Sequence, residues 1–106
     1  MQIEVQYPRK ILSDCIAQYA FWTHNGAIFH NIYELANGIE AMDEETFQYH
    51  VNQKDEKNDF ALWILAVFGD QKLAKKLKEV MDKKSYLKII KKRIKELENE
   101  KQLSFK

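Results

Sequence analysis

The sequence is poor in the residues that turn or staple a chain: of 106 residues, three are glycine, one is proline and one is cysteine. A single Cys15 excludes an internal disulfide and any cysteine-cluster metal site, and it suits a reducing, cytoplasmic setting. So few glycines and prolines argue against a sandwich or barrel built on many tight turns. No apolar stretch approaches the roughly 18 residues of a membrane-spanning helix. The start does not read as a signal peptide, because its apolar segment is short and interrupted by Ser13 and Asp14. Dense chemical motifs are missing as well. His24, His30, Glu34 and His50 are the available metal ligands, and no His-Glu-x-x-His pattern gathers them. His30 and Glu34 fall one turn apart on an expected helix, which is more simply a surface pair than a metal site. No cofactor is expected.

What is present is organised around Asn58–Leu77. From Phe60 to Phe68 the chain carries no charged and no strongly polar residue, bounded by Asn58-Asp59 and Gly69-Asp70. Periodicity alone cannot assign so short a run, but its ends can. Asn58 or Asp59 can accept hydrogen bonds from a first helical turn, and Gly69 can take the left-handed conformation that closes a helix. A helix apolar on all sides belongs in the middle of a core, so Phe60–Phe68 is expected to be central and buried. Asp70 can then cap an amphipathic helix with Leu73, Leu77 and Val80 on one face.

Elsewhere, Gln2–Tyr7 alternates as a strand would. Leu12 and Ile16 suggest a short helix within Arg9–Ala17. Tyr19–Thr23 is β-prone and runs into His24-Asn25-Gly26, a turn sequence that allows a minor hairpin. Ile32, Leu35, Ala36 and Ile39 form one helical face, extended by Met42. Asp43 opens a helix with an acidic first turn and with Phe47 and Val51 inward. Asn52–Lys57 reads as a loop. A last helix from about Tyr86 to Glu100 carries Leu87, Ile90, Ile94 and Leu97 at seam spacing, and Lys101–Lys106 is expected to fray. The expected architecture is mainly α: a compact bundle of about five helices with a short extended N-terminal segment. It forms one domain, with residues 1–26 an irregular lead-in, 27–82 the helical core, 83–100 a lysine-rich helix and 101–106 a tail.

Charge is divided along the chain. Residues 1–69 hold four Lys/Arg and ten Asp/Glu, a balance of −6; residues 70–106 hold thirteen and six, a balance of +7. Such asymmetry can mark a face for an anionic partner, attraction within one fold, or simply solvated helix faces. Lys88, Lys91, Lys92, Arg93 and Lys95 are the candidate partner contacts, facing an acidic protein patch or, alternatively, phosphates. The Gly69-Asp70 corner is a poor helix-turn-helix, because Asp70, Lys75 and Lys78 stand where apolar residues are wanted.

An ordered set of residues adds a resemblance. Phe21, Thr23, Gly26, Asn31, Leu35, Tyr49-His50, Asn58-Asp59-Phe60, Trp63, Gly69, Leu73 and Ala74 resemble the pattern of a small prokaryotic domain of unknown function. Residues 17 to 80 carry the likeness. It implies a small domain, stand-alone or appended to larger proteins, some of them sugar-metabolising enzymes, and it implies no catalytic residue. The sequence departs from the pattern at Trp22, at His24-Asn25 before the glycine, and in a short loop after His50.

His50, Asn58 and Asp59 form the candidate polar site. If the flanking helices pack antiparallel, His50 meets Asp59, which is either a structural clamp or the geometry of acid–base chemistry. Trp22 is the best candidate for an exposed aromatic, whereas Phe60 and Trp63 are expected in the core. The function these features favour is a non-enzymatic protein-interaction or accessory module. A nucleic-acid-associated protein and a small enzyme or ligand binder around His50 and Asp59 are the alternatives.

Overall fold

The computed structural model describes residues 8–103, so the Gln2–Tyr7 alternation lies outside the described residues. The chain runs α1 (Pro8–Ile11), β1 (Phe21–Trp22), β2 (Ile28–Phe29), α2 (Ile32–Ala41), α3 (Glu44–His50), β3 (Val51–Asn52), β4 (Lys57–Asn58), α4 (Asp59–Trp63), a π-helical turn (Ile64–Phe68), α5 (Gln71–Leu77) and α6 (Lys83–Leu103). The fold is mainly α, with two small antiparallel hairpins. α6 is the spine: α1, α2 and α5 pack along it.

α2 buries Ile32, Leu35, Ala36 and Ile39, the face its periodicity predicts. Asn31 starts it by accepting the Glu34 N–H at 2.7 Å. Asp43 starts α3 in the same way through Thr46, at 2.8 Å. Each carboxylate or amide oxygen here satisfies a donor that has no partner within the helix. Gly38 is half-buried on α2 because the Phe29 ring lies across it. A Cβ there would stand 2.1 Å from Phe29 Cζ.

The N-terminal reading needs correction. Helix α1 ends at Ile11, and Ile16 is exposed rather than paired with Leu12. A 3-10 turn at Ala17–Tyr19 follows, tied down where Trp63 Nε1–H donates to the Tyr19 carbonyl at 2.7 Å. The expected hairpin is present: β1 pairs with β2 through Phe21↔Phe29 and Trp22↔Ile28 around the Asn25-Gly26 turn. A second hairpin, β3 with β4, stands where a plain loop was expected. Its four-residue turn is closed by the Asp55 N–H donating to Asn52 Oδ1 at 2.7 Å. Two-residue strands are too short to show an alternation.

The apolar run also departs from expectation. It is helical, and Gly69 closes it in the left-handed region (φ 69°) as predicted. But the run is not buried on all sides. Phe60, Ala61, Trp63, Ile64 and Phe68 face the core, while Leu62 is 64% and Leu65 42% exposed. The π turn explains the division. Bonds closing over five residues bring positions i and i+5 toward one face, and the Trp63 and Phe68 rings meet edge to face at 5.2 Å. Leu62, Leu65 and Ala66 are left outside.

α6 is capped by Asp82, which accepts the Ser85 N–H at 2.8 Å, and it continues past Glu100 to Leu103. Ile90, Ile94 and Leu97 of the expected seam are buried within the chain's own core, Leu87 is half-buried against it, and Tyr86 takes the inward position beside it. Its seam is therefore an internal contact and is not open to a partner helix.

Candidate functional site

Three features were open to function: the His50 neighbourhood, the lysines of α6, and the outer face of the α4 run.

His50 ends α3 and is buried. Its Nε2 accepts the His24 backbone N–H at 2.9 Å, so the proton sits on Nδ1, which donates to Asp59 Oδ2 at 2.9 Å. One imidazole thus ties the first hairpin to α3 and to the start of α4, and both of its ring nitrogens are spent. Phe21 and Phe60 pack on the ring at 5.2 and 5.1 Å. Asp59 is also reached by Lys57 Nζ at 3.5 Å. Asn58, at the cap position of α4, makes no side-chain cap. Its Nδ2–H donates to the Leu77 carbonyl at 2.8 Å, and its Oδ1 accepts from the Tyr86 hydroxyl at 2.5 Å. Burial pushes that hydroxyl well above the ordinary tyrosine range. The capping predicted for Asn58 or Asp59 therefore gives way to long-range bonds that dock α4 on α3, α5 and α6.

Outside this clamp lies a shallow cleft of about 570 Å³ between the first hairpin and α4. Trp22 on its rim is 68% exposed. The exposed Tyr49 ring stacks with the His24 imidazole at 3.9 Å and carries Lys57 Nζ at 4.1 Å from its centre. The His30–Glu34 pair is closed on itself, with His30 Nδ1 and the His30 N–H both directed at Glu34 Oε1, at 3.1 and 2.7 Å.

The α6 candidates separate. Arg93 is not a surface cation. It is buried, with Nε and Nη2 bound to the two oxygens of buried Asp70 at 2.9 and 3.2 Å and Nη1 bound to Glu96 at 3.2 Å. Burial alone would lower its pKa; the carboxylates of Asp70, Glu96 and Glu100 together outweigh that and hold it above the usual value. Glu96 is held below its usual value because Arg93 and Lys72 outweigh the upward pull of burial. Lys91 reaches Glu40 at 3.2 Å, the one ion pair among the described residues that joins the acidic and basic parts of the chain. Lys88, Lys92 and Lys95 are exposed and, with Lys84, recur at helical spacing on the side of α6 away from the core.

The third feature was not foreseen. Asn58, Ala61, Leu62 and Leu65 on one wall and Gln71, Ala74, Lys75 and Lys78 on the other line a mainly apolar groove of about 490 Å³ between α4 and α5. Leu62 also borders the cleft beside Trp22, so it stands between the two depressions. Lys75 and Lys78 are the only ionisable residues lining the groove, and neither has an ion-pair partner among the described residues. The sequence carries no distinct signal for it: Ala74, between Leu73 and Lys75, is an ordinary position on an amphipathic helix.

A family of unknown function (DUF5752) matches residues 16–102, and the chain belongs to it. No curated protein and no solved structure matches the chain.

Proposed function

We propose that this chain is a non-enzymatic protein-interaction module whose docking surface is the groove between α4 and α5. The observation that carries the reading is the exposure of Leu62 and Leu65 on a helix whose other face is core. Single exposed leucines need no explanation, but several that line one concavity mark a contact surface. The commitment of both His50 nitrogens favours a binding module over an acid–base enzyme, since no ring nitrogen is left to take a substrate proton. The single half-buried Cys15 is in keeping with a reducing, cytoplasmic setting, and the motif resemblance with a prokaryotic one.

The test is affinity capture from host-cell lysate with the wild-type chain and a Leu62→Asp/Leu65→Asp variant, folding checked by circular dichroism, with and without nuclease. A protein held by the wild type and lost from the variant in both arms supports the module. Equal capture by both chains overturns it.

A second reading, nucleic-acid binding by α6, has one observation in its favour. Glu96, Glu98 and Glu100 dilute the lysines in sequence, yet Glu96 and Glu98 turn to Arg93 and Tyr33. That leaves Lys84, Lys88, Lys92 and Lys95 without carboxylate partners among the described residues. Neutralising four phosphates gives a log–log salt slope of roughly −3.6. A duplex-binding assay across salt, repeated with all four lysines changed to Gln, decides it; charge reversal at Arg93 would report only on folding.

A further inference from the structure

We infer that the groove takes an amphipathic helix whose carboxylates, one turn apart, meet Lys75 and Lys78. The inference rests on the interaction-module reading and adds the occupant. Its first support is the shape of the walls. Ala61, Leu62 and Leu65 form one ridge; Gln71, Ala74, Lys75 and Lys78 form the other at helical spacing, with Ala61 and Ala74 as the small residues between them. Two ridges with small residues between them accept a third helix by ridge-into-groove packing.

The second support is the state of the backbone. The wall residues other than Asn58 belong to α4, the π turn, α5 or the end of α5. At the end of α5 the Lys78 carbonyl accepts from Asn58 Nδ2 at 3.3 Å, and the Leu77 carbonyl accepts both from Asn58 Nδ2 at 2.8 Å and from the Val80 N–H at 3.0 Å. An extended peptide would find little backbone to pair with, so a bound segment must satisfy its own N–H and C=O groups, as a helix does.

The third support is charge. Lys75 and Lys78 sit three residues apart, one helical turn, on the rim of an apolar floor. No carboxylate lines the groove, and neither lysine is paired among the described residues. Such a rim favours an acidic flank and disfavours a basic one.

The experiment uses three designed 18-residue helices with the same leucine stripe and polar faces of Glu, Gln or Lys. Each is titrated by fluorescence anisotropy against the wild type, Leu62→Asp/Leu65→Asp and Lys75→Glu/Lys78→Glu. The changed residues are exposed, and circular dichroism confirms folding. The Glu-faced helix is expected to bind the wild type at least tenfold tighter than the Lys-faced one. The lysine reversal is expected to invert that order, and the leucine variant to weaken the Glu- and Gln-faced helices at least tenfold. Equal affinity for Glu- and Lys-faced helices, with the leucine variant still weak, overturns the acidic occupant and leaves the groove standing. Peptide binding unchanged by the leucine substitutions overturns the groove itself. No binding of the Glu-faced helix, or a wild-type dimer in sedimentation that Leu62→Asp abolishes, also overturns the inference, the dimer by making a second copy the occupant.

Discussion

Two helical stretches of this chain exchange the roles that their compositions suggest. Phe60–Phe68 has no charge and leaves one face open; α6 is crowded with lysine and its apolar seam is sealed. The difference lies in neighbours. α6 has α1, α2 and α5 around it, enough to cover Tyr86, Ile90, Ile94 and Leu97. The α4 run is covered by the first hairpin, α3, α5 and α6, and the side that carries Leu62 and Leu65 stays exposed. Hydrophobicity expresses what a side chain would gain from burial; the number of packed elements decides whether it is buried.

The strongest test of the sealed side is its ion pair. Arg93→Met leaves the Asp70 carboxylate, 1% exposed, without a counter-charge. A buried pair broken on one side costs about 3–5 kcal/mol, to be read from the shift in urea midpoint. Adding Asp70→Asn removes the orphan charge while an amide oxygen still caps Leu73, so the double variant is expected to recover much of the loss. An Arg93→Met variant as stable as the wild type would mean that Asp70 has access to water and the seam is not sealed.

The comparison sharpens when one aliphatic side chain is removed from each stretch. Ile90→Ala should cost about 2–5 kcal/mol, since it opens a cavity in a closed core. Leu62→Ala should change stability by less than about 0.5 kcal/mol while weakening whatever the groove binds. Equal losses would place Leu62 in a core and remove the case for the groove.

His50→Ala lies between these. It strands the His24 N–H and removes one of the two partners of Asp59, which keeps Lys57 at 3.5 Å; leaving one donor unpaired costs about 1–3 kcal/mol. The expected signature is local: amide exchange should quicken at His24 and around β1–β2, with α6 unaffected. Loss spread evenly over the molecule would show that the clamp is part of the main core.

Much of this was legible in the sequence, and the failures share a cause. Local devices were readable because they need only neighbours in sequence: Asp43 over Thr46, Asp70 over Leu73, Gly69 at the corner, Asn25-Gly26 in the hairpin. The α2 face was readable because its period is long enough to repeat. The partners of Asn58 and Arg93 were not, because each bond joins residues from distant elements and competes with a local use such as capping or solvation. Of the candidate site, the meeting of His50 with Asp59 was foreseen as geometry. The groove was not, because nothing in an unbroken apolar run says which side lacks a neighbour.

The smallest expected effect concerns acid. Asp43 is held below the usual carboxylate range by bonds from the Thr46 hydroxyl and N–H; Asp82 is held there by the Ser85 N–H and hydroxyl. Both depressed values belong to the folded chain, so the unfolded chain binds more protons between the folded and unfolded values, and stability must rise with pH across that window. The caps contribute fully above the unfolded value of about 4 and are lost as pH falls through the folded ones. Asp43→Asn with Asp82→Asn keeps an accepting oxygen at each cap but removes the titration. Denaturation followed downward from pH 5 should therefore show a shallower decline in this variant than in the wild type. If the two declines coincide, acid sensitivity lies elsewhere, with Glu96 beside Arg93 and Lys72 as the next group to neutralise. The groove should be indifferent to this change, since no carboxylate lines it; a docking surface that weakened with the caps would be coupled to α3 and α6 rather than standing apart from them.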